Sequence, residues 1–158
     1  MAGFGKRRGQ AFETMMLVIS VIVAVAILGV LLSFLGGIGQ FGTNAQTVMP
    51  DLAKKVDSKG YGIEVKEGVQ FEKDSTILRN DVKGSSSIIR DNIEFVCAQA
   101  DFCGSSTAPI EVKSTQVSVR EKTTGGVAVC SSDGNKFFVC IAKTSADANK
   151  ECFSKCRL

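Results

Sequence analysis

"GGVAVC" (125–130) and "KFFVCIAK" (136–143) stand on either side of "SSDGN" (131–135). Asp133-Gly134 is a strong two-residue turn signal, because glycine reaches the positive φ values that a tight hairpin needs. Apolar, β-branched and aromatic residues dominate both flanks. The stretch therefore predicts an antiparallel hairpin with Cys130 on one arm and Cys140 on the other. Directly after it, "SADANKECFSKC" (145–156) reads as a terminal helix with a serine or threonine cap. Its Cys152 and Cys156 are one helical turn apart and share a face.

Working outward, "TQVSVREK" (115–122) alternates as a strand. "SSSIIRDNIEFVCAQA" (85–100) fits a helix, with Ile89, Ile93, Val96, Cys97 and Ala100 at three- and four-residue spacing after serines able to cap it. "YGIEVKEGVQFEKD" (61–74) alternates around Glu67-Gly68 and reads as a second hairpin. Residues 60–158 thus have the pattern of a small, β-rich, water-exposed head domain. All six cysteines lie in it: Cys97, Cys103, Cys130, Cys140, Cys152 and Cys156. An even set confined to one region points to an oxidising compartment.

The N-terminal third is different in kind. No charged residue occurs between Glu13 and Asp51. Met15 to Leu35 is almost wholly aliphatic, broken by Ser20, Gly29 and Ser33. As one helix it would run roughly 31 Å, enough to cross a hydrocarbon core of about 30 Å. Its apolar character goes all the way round, which argues against a core helix packed on one face. "LGGIGQFGTN" (35–44) then reads as a helix stop and flexible neck, with helix able to resume over Asn44–Val56. The expected organisation is a basic leader (1–9), a transmembrane helix (10–35), a Gly-rich neck and linker (36–59) and a head (60–158). The fold class is α+β: a long N-terminal apolar helix followed by a small β-rich, disulfide-stapled head.

Residues 1–9 carry Lys6, Arg7 and Arg8 and no anion, while the remaining chain balances 16 basic against 16 acidic side chains. The leader keeps the N-terminus in the cytoplasm by the positive-inside rule and sends the head outward. The neutral body argues against nucleic acid as a partner. A removable secretory signal fits poorly, since the apolar run exceeds a usual h-region and "Thr43-Asn44-Ala45" is a poor cleavage site.

"KRRGQAFETMMLV" (6–18) followed by an aliphatic helix resembles the type IV pilin-like proteins of archaea, which carry a class III signal peptide. The resemblance spans about residues 5–40. It implies cleavage between Gly9 and Gln10 on the cytoplasmic side, so that the apolar helix stays in the mature protein. It makes Gln10 the first residue and gives Glu13 a role in assembly, although Glu13 then falls at mature position four where the family has five. Physically, a carboxylate at a membrane edge is costly unless paired. The new α-amino group of a neighbouring Gln10 is a fitting partner, while favourable interaction with its own helix N-terminus is the plainer role for Glu13. The resemblance also implies a helical homopolymer used in adhesion. The further partners it implies are a prepilin peptidase, an assembly ATPase, a membrane platform protein and the cytoplasmic membrane before assembly. No cofactor is called for.

In such a head the cysteines act as staples. Six cysteines permit many connectivities. The favoured one joins Cys97 to Cys103 and each hairpin cysteine to one on the last helix. A zinc site of Cys130, Cys140, Cys152 and Cys156 is the rival, but it lacks the closely paired cysteines of common zinc modules. The chain has no histidine, no phosphate-binding Gly-Lys-Ser pattern and no Gly-x-Ser-x-Gly elbow, so enzyme chemistry has little support. The alternatives are a tethered outer binding domain that never polymerises, and a minor pilin of a secretion or DNA-uptake machine.

Overall fold

The computed structural model describes residues 15–31 and 44–158. The chain divides into two units, Met1–Gln40 and Phe41–Leu158. The described part of the first is a single helix, α1 (15–31). It covers 17 residues of the 10–35 segment expected, and the rest of that segment lies outside the described residues. Among the described residues no helix is long and apolar enough to cross a membrane.

The second unit is mixed α and β. Its main sheet has the order β1-β6-β7-β3, where β1 is Gly62–Phe71, β6 Thr123–Ser131, β7 Phe137–Ala142 and β3 Ile93–Cys97. β6 pairs antiparallel with both β1 and β7, and β3 lies parallel to β7. A smaller antiparallel sheet orders β2 (Thr76–Leu78), β5 (Gln116–Val119) and β4 (Ile110–Lys113) as β2-β5-β4, and a short helix, α3 (Arg79–Lys83), follows β2.

The alternation of β6 and β7 builds two cores. Val127, Val129, Phe137, Val139 and Ile141 point to one side, where α2 (Ala45–Lys59) and the smaller sheet close the larger core. Ala128, Cys130, Cys140 and Ala142 point to the other, where α4 (Ser145–Cys156) sets down Ala148, Cys152 and Cys156. Both strands are buried on both faces, which explains their near-continuous apolar sequence.

Helix α2 begins in the segment expected as linker. The side chain of its cap residue Asn44 accepts the Gln46 N–H, and Gly60 closes it in the left-handed region at φ 79°. Val48, Met49, Leu52, Ala53 and Val56 make one buried stripe at helical spacing. The described part of that linker is therefore a packed element of the head.

Two local expectations are corrected. Residues 61–74 are not a hairpin. They form one ten-residue strand, β1, which pairs with distant β6. Glu67 and Gly68 fall where the register shifts, between Lys66↔Val127 and Val69↔Gly125. Gly68 has φ 67°, so the residue that read as a turn supports a bulge instead. Residues 85–100 are not a helix either. Arg90–Asn92 is one 3₁₀ turn, β3 follows, and Ala100–Gly104 is a single π-helical turn. Ile93 and Phe95 are buried in the large core and Cys97 packs against it, while Val96 packs on the α4 side. Ile93 and Cys97 fit helical spacing, but with Phe95 between them they also fit period 2, and the pairing of β3 with β7 decides for the strand.

Candidate functional site

Helix α1 is the first candidate. Every residue from 15 to 31 is exposed, and its large aliphatic side chains stand open on all faces. Ser20 is the one polar side chain in this stretch, and its hydroxyl donates to the Met16 carbonyl at 2.8 Å. That bond leaves no unsatisfied hydroxyl to oppose an apolar environment. Gly29 has open space where a Cβ would stand, so another chain can approach there closely. The predicted cleavage and assembly residues Gly9, Gln10 and Glu13, the cations Lys6, Arg7 and Arg8, and the Gly-rich stretch 35–43 lie outside the described residues.

The cysteines are all bonded: Cys97 to Cys103, Cys130 to Cys156 and Cys140 to Cys152. Register explains the two bridges under α4. Ala128 faces Cys140 and Cys130 faces Phe138, so Cys130 and Cys140 occupy adjoining positions on one sheet face. Cys152 and Cys156 descend onto them from successive turns of α4. The four sulfurs that composed the rival zinc set are thus consumed in two disulfides and present no thiolate.

The start of α4 is held by four separate side chains. Thr144 caps it, accepting the Asp147 N–H at 3.2 Å and donating to Asp147 Oδ2 at 2.8 Å. Gln99 donates to Asp147 Oδ2 at 3.0 Å, and its amide oxygen accepts the Lys143 N–H at 3.2 Å. Glu67 Oε2 accepts the Ser145 N–H at 2.8 Å. Hydrogen bonds from Ser145, through its side chain first and its backbone second, hold the Glu67 carboxyl below the usual carboxylate range. The β1 bulge thus aims Glu67 at the helix, and the Cys97–Cys103 bridge closes the loop that carries Gln99. Sequence reasoning missed both residues, because Glu67 is 78 positions from its partner and Gln99 is 48 from Asp147.

Two further carboxyls are held low. Asp133 accepts the N–H groups of Asn135 at 2.9 Å and Lys136 at 3.2 Å at the β6–β7 turn. Glu111 is lowered by Lys113, through a hydrogen bond and charge at 3.3 Å, with Arg120 adding to it.

A cleft by the smaller sheet was not singled out from sequence. Leu78, Arg79, Asn80, Arg90, Asp91 and Thr115 line it. No local pattern joins these residues; the turns around β2, β3 and β5 bring them together.

Comparison with known protein families, characterised proteins and solved structures finds no match to this chain.

Proposed function

We propose that this protein is a pilin-like subunit of an archaeal type IV surface filament, assembled through its N-terminal helix and serving adhesion. The observation that carries the reading is an aliphatic helix exposed on every face, directly preceded in sequence by Arg8-Gly9-Gln10 and Glu13. A helix of this kind requires an apolar surround on all sides. Lipid supplies it before assembly, and the helices of other copies supply it in a filament. Cleavage before Gln10 would retain the helix and create the amine that Glu13 of another copy can neutralise. Head-to-tail contacts that do not close generate a polymer. Three disulfides suit a head displayed outside the cell.

The mass of the chain recovered from its native membrane tests the first step. A mature N-terminus at Gln10 is expected, and an uncut chain or one cut after the helix overturns the reading. Electron microscopy of sheared surface material tests the second. Filaments should carry this chain, and Glu13→Ala should be cleaved yet fail to enter them.

A further inference from the structure

We propose that the cleft beside the smaller sheet binds a small hydroxylated carboxylate, such as a uronic acid residue of a glycan. Arg79 is its centre. The residue is partly buried, and Nε is fully buried with no hydrogen-bond partner. Its guanidinium makes one long bond among the described residues, from NH2 to the Ser114 carbonyl at 3.4 Å. A guanidinium has five donors in a planar fork, and drawing it out of water without an anion is costly. The nearby carboxylates do not supply that anion. Asp81 accepts the Leu78 N–H at 2.8 Å, and Asp91 pairs with Arg90 Nε at 3.2 Å.

The rest of the lining fits a sugar acid better than a bare ion. Arg90 uses only Nε on Asp91, which leaves its terminal nitrogens to face a second carboxylate oxygen. Asn80 and Thr115 offer an amide and a hydroxyl to ring hydroxyls, and Asp91 offers acceptor oxygens. Leu78, 45 % exposed, supplies an apolar wall for the C–H face of a ring. Among the lining residues two arginines stand against one aspartate. The site belongs to the head alone and stands whether or not the chain polymerises.

Titration of the ¹⁵N-labelled full chain in non-ionic detergent with glucuronate, glucose and acetate tests it. Glucuronate should shift the amides of Leu78, Asn80, Asp91 and Thr115 saturably. Glucose, without the carboxylate, and acetate, without the hydroxyls, should each bind at least about tenfold more weakly, the scale of one charge-assisted hydrogen bond. Arg79→Gln should abolish saturation. Arg90→Gln, at a side chain 57 % exposed and safe for folding, should weaken glucuronate by about tenfold. No saturable shift with glucuronate, equal binding of glucose, or unchanged affinity in Arg90→Gln overturns the proposal. Acetate binding as tightly as glucuronate overturns the assignment to a sugar acid.

Discussion

At the residue scale, the tightest constraint is Gly126. A Cβ there would lie 2.3 Å from the Ser145 nitrogen and 2.4 Å from the Thr144 carbonyl carbon, both backbone atoms that cannot swing aside. Gly126→Ala should therefore cost about 3 kcal/mol or more, read as a lowered urea midpoint at constant slope. Gly68→Ala is the control. Its φ of 67° is strained for alanine but its surroundings are open, so about 1–2 kcal/mol is expected. Glu67 makes a prediction in pH. Its folded carboxyl is held low, so the stability it contributes is present above the unfolded pKa and lost as pH falls through the folded one. Glu67→Gln should lower Tm near neutrality, where the ionised carboxylate contributes, and converge with the parent in acid, so that the fall of Tm with pH is flatter. Asp133 and Glu111 have the same sign, so some acid slope should remain.

At the scale of elements, α4 is a short amphipathic helix whose attachment is largely covalent. The 140–152 and 130–156 bridges close loops with sequence separations of 12 and 26, and the first is nested inside the second. Chain entropy assigns them roughly 3 and 3.5 kcal/mol when each is considered alone. Closing the inner loop shortens the outer one. Removing both by Cys→Ala pairs should therefore cost less than those two figures added together, yet more than the two single removals from the intact chain added together, measured by denaturation under non-reducing conditions. The 97–103 bridge, with separation 6, should contribute least, about 2 kcal/mol. Its loss should speed amide exchange at the start of α4, because it holds the loop bearing Gln99. The hairpin and the last helix were readable because their signals are local: Asp133-Gly134, a threonine cap and cysteines one turn apart. The supposed 61–74 hairpin and 85–100 helix misled because the same residues serve a bulge and a strand once distant partners pair with them.

At the scale of the whole molecule, the two units have opposite solvent demands. The second has its own two cores, its own caps and all three disulfides. A chain beginning at Phe41 should fold unaided in water, giving a cooperative thermal transition and no free thiol by Ellman titration. The full chain should instead require detergent or lipid, since α1 exposes aliphatic surface that nothing in the sequence between Glu13 and Asp51 offsets with charge. In the proposed filament, the same surface would be covered by other copies.

Taken by itself, the sequence determined the division into an apolar segment and a cysteine-rich α+β head, the β6–β7 hairpin and the capped terminal helix. Each is set by interactions within a few residues or by bulk hydropathy. The cysteine spacing favoured a local 97–103 bridge and hairpin-to-helix bridges without deciding which hairpin cysteine meets which helix cysteine, and the observed pairs are of that kind. Only the tertiary structure decided that α2 belongs to the head core, that β1 is one bulged strand and that β3 is not helical. It alone brought Glu67 to Ser145 and assembled the Arg79 cleft. Those outcomes depend on which distant strands pair and which faces they bury, and such energies are absent from any local stretch of the chain.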